Sequence, residues 1–409
     1  MRFSLVKILF TGVALLLVGG SIFAVRDWQK KNHGGKESAD ALVSVGGQPR
    51  SFEELAGYFK GIAETKGAAY AFEVLKKAIF PPDIDLHLLG HVVGDELFKQ
   101  QGLEGIKVCT DDFRNACSHA IVVGLFLDKG EGALPQIAEA CRQAPGGSGA
   151  YTMCIHGLGH GIVAALGYEV PKAVGVCKKL GTTEHGGQEV GQCIGGITME
   201  MISGGGHNRE LWAKERPRYL VAENPLSLCA SDFMPAEGRY LCHLYLTPFL
   251  WEAVGGNAGF PMPEDFRKAF QICDQLPPSD ASNRDACFGG FGKEFIGLVQ
   301  GRDIRKEALA KITDAQLGQI YAWCRLAPHK EGAAACAVQA LQSLYWGGEN
   351  DRSIAIRFCG IIDEEYFGRS CFLNLIGAVA SYIRDADYQR TFCEELPSQY
   401  QKECSVMLQ

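Results

Sequence analysis

The chain has no excess of positive charge. Its 40 Lys and Arg face 47 Asp and Glu, a net charge of −7. No basic stripe runs along any segment, so nucleic acid is not an expected partner. Several signatures of chemistry are also missing. Without CxxC, a zinc ribbon or a thioredoxin-type redox motif is excluded. Without CxxCH, so is covalent c-type haem attachment. There is no HExxH, no GxSxG and no P-loop. No sustained alternation of apolar and polar residues appears, so the fold is expected to be all-α. Finally, none of the 16 cysteines falls in the first hundred residues.

What is present begins with residues 8–25, an uncharged apolar segment preceded by Arg2 and Lys7. It reads as a membrane anchor or a secretory signal. Ala24 lacks a small partner at Ile22, whereas Ser21 with Gly19 fits cleavage better; the anchor is the preferred reading. Arg26, Lys30 and Lys31 follow the segment, so flanking charge does not set its orientation. The chain divides into this segment (1–26), a polar linker (27–50) and an all-α repeat domain (51–409). Hydrophobic residues make up 47% and charged residues 21%, an ordered globular balance. Ser51 with Glu54 has capping-box spacing and opens the first helix. A second helix is expected from Gly67 to Phe80, ended by Pro81 and Pro82.

The cysteines fall into consecutive pairs: Cys109/Cys117, Cys141/Cys154, Cys177/Cys193, Cys229/Cys242, Cys273/Cys287, Cys324/Cys336, Cys359/Cys371 and Cys393/Cys404. Nearest-neighbour disulfides are the simplest connectivity. They place the body outside the cytoplasm, on the periplasmic or extracellular side. Each pair follows one plan: an apolar helix ends in the first cysteine, a polar loop follows, and the second cysteine opens another apolar helix. Cys117, Cys154, Cys193, Cys287, Cys336 and Cys371 are the clearest expected openers. First cysteines recur every 32 to 52 residues, the range of αα-hairpin repeats. The longer gaps, Ser203–Glu223 and Gly301–Gln319, read as insertions or extra helices.

Two resemblances follow. Over residues 109–404 the clipped hairpins resemble the cysteine-rich secreted relatives of tetratricopeptide repeats. The stretch Gly157-Leu-Gly-His-Gly-Ile-Val is similar to the histidine-glycine signature on inner helices of lanthionine synthetase cyclases. Those are α/α toroids with a central zinc, and their cysteine ligands have no clear counterpart here; Cys242-His243 is a superficial match. The resemblances imply a curved solenoid or a closed toroid. In either form the second helices of the hairpins line a common surface.

That surface carries histidine. Two residues after the second cysteine stand His119, His156, Gly195, Leu244, Gly289, Val338 and Leu373. Six residues after it stand Val123, His160, Met199, Pro248, Lys293, Gln342 and Gly377. The cysteine-free helix before them supplies His87 and His91, again four apart. Residues four apart share a helix face. A single such histidine is most simply part of a hydrogen-bonded seam. Five on one face in consecutive hairpins point to a metal: zinc, iron or copper. Asp95 is the candidate carboxylate ligand. Packed helices about 8–10 Å apart are the geometric obstacle, which tight curvature would remove.

Other candidates are weaker. Glu200 and Glu294 share a register after Gly-Gly openings and could be an acid/base pair; solvated helix flanks are the simpler account. Ser203–His207 reads as a flexible loop or hinge. His33, His185, His207 and His329 read as surface residues, and His243 as loop-end or core. Trp251 and Tyr345-Trp346 read as packing residues. The sequence therefore supports an extracytoplasmic, membrane-tethered metal-binding protein with a histidine-bearing half (51–205) and a scaffold half (206–409). A metal-dependent hydrolase or oxygenase would fit. The competing reading is a non-enzymatic repeat scaffold that binds a protein partner on its repeat surface.

Overall fold

Ser51 caps the first helix as its spacing predicts. Its side chain accepts from the Glu54 amide at 3.2 Å, and its own amide donates to the Glu54 carboxylate at 2.8 Å. The protein is seen here as a computed structural model. It describes residues 44–409 except 46–47, 82–83, 111, 145–146, 182–187, 205–207, 257–261, 348–351, 363–364, 384 and 409. The apolar segment 8–25, most of the linker, and His33, His185 and His207 lie outside the described residues.

A two-residue antiparallel pair, β1 (Ser44–Val45) and β2 (Gln48–Pro49), precedes the helices. Then come α1 (Phe52–Lys66), α2 (Ala68–Lys77) and α3 (Leu86–Gln101). The second helix stops three residues short of the expected Phe80, because Ala78 already turns extended ahead of the prolines. The hairpins follow: α4 (Ala116–Lys129), α5 (Leu134–Arg142), α6 (Gly147–Ala165), α7 (Val170–Cys177) and α8 (Gln188–Ser203). Next are α9 (Arg209–Glu215), α10 (Ser227–Ala230), α11 (Ala236–Tyr245), α12 (Thr247–Ala253), α13 (Pro263–Cys273) and α14 (Ala281–Val299). The series ends with α15 (Lys306–Ala310), α16 (Asp314–Cys324), α17 (Lys330–Gly347), α18 (Arg352–Ile361), α19 (Glu365–Tyr382), α20 (Ala386–Glu395) and α21 (Ser398–Met407). The long gaps in cysteine spacing hold extra helices, α9 and α15 among them. No helix among the described residues is long and apolar enough to cross a membrane.

All eight cysteine pairs form the nearest-neighbour disulfides: Cys109–Cys117, Cys141–Cys154, Cys177–Cys193, Cys229–Cys242, Cys273–Cys287, Cys324–Cys336, Cys359–Cys371 and Cys393–Cys404. The expectation that the second cysteine opens its helix is corrected by the structure. Cys371 does not open α19, which starts at Glu365 and carries Cys371 well inside it. The same holds for Cys154 in α6, which starts at Gly147, and for Cys287 in α14, which starts at Ala281. Cys117 comes nearest to the expectation but also differs from it. Its helix α4 starts at Ala116, after Asn115 in the left-handed region, so Cys117 is the second residue rather than the opener. The physical reason is reach. The two Cα atoms of a bridge must lie about 4.4–6.8 Å apart, here 5.4 Å for Cys109–Cys117 and 5.5 Å for Cys359–Cys371. Where both cysteines stand on antiparallel helices, the second helix must run on past the bridge to meet the end of the first. Cys109 follows a short 3₁₀ turn (Gly102–Val108) instead of ending an α-helix, so α4 needs no such extension. Sixteen oxidised cysteines and no free thiol fit an extracytoplasmic setting.

The inner helices α3, α4, α6, α8, α11, α14 and α17 pack side by side in that order. Glycine sets how closely. A Cβ on Gly159 would lie 2.0 Å from the Cys193 carbonyl oxygen, and one on Gly196 would lie 1.9 Å from that of His156. The α6 and α8 backbones therefore touch. The α14–α17 crossing is the same: a Cβ on Gly292 would meet the Cys336 oxygen at 2.0 Å. The array also reaches back on itself. Arg305, beyond α14, donates to the Ala78 carbonyl and lies 5.5 Å over the Phe80 ring. The main apolar cluster runs from Leu55 to Cys404 without a break near residue 205.

Candidate metal centre

His87 and His91 stand on one face of α3, His119 on α4, and His156 and His160 on α6. Helix period alone aligns each HxxxH pair. What brings the three helices' imidazoles together is the glycine between them. A Cβ on Gly157 would lie 2.3 Å from the His119 ring and 2.7 Å from its Cα, so only glycine leaves room for that ring. Gly90 and Gly94 similarly admit Ala116 and Ala120 of α4. As a result His87 on α3 and His160 on α6 have ring centroids only 6.3 Å apart. The geometric obstacle raised by ordinary helix spacing does not arise.

Side-chain nitrogens of His87, His91 and His119 lie within 4.8 Å of one another, close enough to hold one metal ion. His119 is 0% exposed, and His91, His156 and His160 are buried with it. Burial in this low-dielectric setting holds His87 down at about 4. It also drives His119 and His156 well below the usual imidazole range, and the neighbouring histidines add to the effect. These rings are neutral at neutral pH, the form that binds metal. Cys117, two residues before His119, is not a ligand: its sulfur is bonded to Cys109.

The outer partners fix which nitrogen faces inward. His87 Nδ1 sits 2.7 Å from the Phe113 carbonyl. A carbonyl only accepts, so Nδ1–H donates and the Nε2 lone pair points into the cluster. His160 Nδ1 sits 3.0 Å from the Glu200 carboxylate, which likewise leaves its Nε2 facing inward. Glu200 also accepts from Tyr168 Oη at 3.2 Å, and the Trp212 indole N–H donates to its backbone carbonyl at 3.0 Å. The Phe113 carbonyl is presented by an unusual turn. Phe113, Arg114 and Asn115 all have positive φ, at 58°, 54° and 63°. Left-handed backbone at Phe and Arg costs roughly 1–2 kcal/mol each. Strain of this kind is commonly found where a functional group must be aimed.

On the far side, the Tyr245 ring packs 4.6 Å from His156, and Lys293 Nζ lies 4.9 Å over that same ring. Burial pushes the Tyr245 hydroxyl up to about 12 and the Lys293 amine down. Burial pushes Glu294 up, but Lys293 and Arg114 outweigh it and hold the carboxyl below its ordinary value.

Each candidate has a place. Asp95 is not among the converging ligand atoms. It lies about one turn beyond His91 on α3, and its charge acts on Lys99. Glu200 is no solvated flank but a buried partner of His160. Glu294 is ion-paired with Lys293, so each glutamate has its own partner. His243 is buried at 2% exposure, and burial lowers it to about 4. His329 is exposed and pairs with Asp274. Trp251 and Tyr345 are buried packing residues. Tyr168 and Tyr245 could not be read from sequence; Lys293 stood at the His160 register position, but its place over the Tyr245 ring depends on how the helices cross. No protein-family model, no curated protein and no solved structure matches this chain.

Proposed function

We propose that this is an extracytoplasmic metal-binding protein with a transition metal ion on His87, His91 and His119. The observation that carries the reading is His119. Both of its ring nitrogens are buried and, among the described residues, neither has a hydrogen-bond partner. Leaving such a group unsatisfied costs about 1–3 kcal/mol, and a metal bond removes that penalty for the nitrogen it engages. Three neutral imidazoles suit zinc or copper, and a three-histidine site leaves a coordination position open. An ion so held supplies Lewis acidity to a water, dioxygen or a substrate oxygen, which makes a hydrolase or an oxygenase the enzyme class in view. The Tyr168–Glu200–His160 chain holds protons beside it. A tightly curled or closed array is the architecture that this meeting of three helices favours. Tethering through residues 8–25 completes the proposal.

The test is elemental analysis of the full chain, made under disulfide-forming conditions, beside His119→Ala. At least one equivalent of zinc or copper in the first, lost in the second with helicity kept, supports the reading. No metal in the unaltered chain after reconstitution with zinc, iron and copper would sink it and turn attention to a protein partner for the repeat surface.

A further inference from the structure

Two HxxxH pairs of nearly the same geometry meet beside His119: the His160 ring centroid lies 6.3 Å from that of His87 and 6.1 Å from that of His91. His87 Nε2 and His91 Nε2 are 3.2 Å apart, and His156 Nε2 and His160 Nε2 are 3.3 Å apart. Two nitrogens each about 2.0–2.1 Å from one tetrahedral ion would be about 3.3 Å apart. In each pair one ring is anchored through Nδ1, His87 by a carbonyl and His160 by a carboxylate. That is the outer hydrogen bond a metal-binding imidazole usually makes. His119 packs against both pairs: its ring centroid is 5.5 Å from His87, 5.6 Å from His91, 5.8 Å from His156 and 5.7 Å from His160. Neither of its nitrogens has a hydrogen-bond partner among the described residues.

We propose that the five histidines form a two-ion centre, one ion on His87 and His91 and one on His156 and His160, with the His119 imidazole bridging the two. The inference rests on the metal-binding reading above and extends it. Neutral imidazole has one lone pair and one N–H. The first ion takes the lone pair. The second takes the other nitrogen, and its proton leaves to solvent, so the bridge is an imidazolate. Two open coordination positions would then face one shared space, an arrangement suited to a substrate that offers two oxygens, such as a phosphate or carboxylate ester.

The experiment is a Cu(II) titration of the full, metal-free chain followed by electron paramagnetic resonance. The expected result is saturation at two equivalents, with the signal of the first equivalent falling as the second binds, because the bridge couples the spins. His156→Gln/His160→Gln should stop at one equivalent and keep a full, uncoupled signal. Saturation of the unaltered chain at one equivalent would overturn the bridge while leaving the single-ion site intact. Two equivalents with undiminished spin would overturn the bridge as well. No copper at all would overturn both readings. The titration of the unaltered chain decides the matter even if the variant fails to fold.

Discussion

The first inner helices and the later ones share a scaffold but not a surface. At the same two register positions, α6 carries His156 and His160, α14 carries Gly289 and Lys293, and α17 carries Val338 and Gln342. The crossings are built alike: Gly159 and Gly196 bring α6 against α8, and Gly292 brings α14 against α17. Around the first set lie buried His91, His119, His156, His160 and Glu200. In the later half the packing of α14 against α13 is aromatic, with Phe270, Phe288, Phe291 and Phe295 packed ring to ring. Glycine and disulfides thus belong to the scaffold. Histidine is what the first half adds, against the cost of burying polar rings.

Substitutions at the crossings should treat both halves alike. Gly159→Val and Gly292→Val each drive a side chain into a neighbouring carbonyl, and each should cost on the order of 5 kcal/mol or prevent folding. Denaturant melts of the two variants check this. A large cost in one half alone would break the claim of a common scaffold.

Acid should separate the halves. His87 is held near 4, and His119 and His156 lie well below 6.5; among the described histidines of the later half, His243 is lowered to about 4. A histidine whose pKa is lower folded than unfolded takes up protons more readily when unfolded. Its stabilisation is complete above pH 6.5 and is lost as pH falls toward 4. A histidine lowered to about 4, as His87 is, accounts for roughly 3 kcal/mol. Hydrogen exchange of the metal-free protein from pH 7 to 4.5 should therefore show α3, α4 and α6 losing protection before α16 and α17. Uniform loss would contradict the assignment.

Disulfide removal should again be even-handed. Cys141→Ala/Cys154→Ala and Cys324→Ala/Cys336→Ala open loops of 13 and 12 residues and should each cost about 3 kcal/mol. Thermal melts of the two double variants measure it. The smallest effect is expected at Gly175 in α7, where an added Cβ meets nothing within 4 Å. Gly175→Ala should stabilise by about 0.5–1 kcal/mol. A loss of stability there would mean that the open space is misjudged.

The hairpins and bridges were legible in the sequence because cysteine spacing records them directly. Helix starts were not: Cys371 lies inside α19 and Cys117 just inside α4, because a bridge marks where two helices meet and not where the second begins. The histidine face was legible because the second cysteine gives each inner helix a common register, wherever the helix starts. The glycines announced close approach, and the approach is helix to helix. Other features depend on how helices cross. Glu200 sits one residue beyond the His160 register, yet the α6–α8 contact turns it onto His160, so a residue read as a solvated flank is buried. The return of Arg305 to Ala78 joins residues 227 apart, a contact no local pattern encodes.

X-ray absorption at the zinc edge of the zinc-loaded full chain tests the central claim most directly. The account predicts a nitrogen shell at about 2.0–2.1 Å with the multiple-scattering pattern of at least three imidazoles. It also predicts no sulfur, because every cysteine is bridged. A sulfur shell near 2.3 Å, or an oxygen-only shell without imidazole scattering, would contradict it.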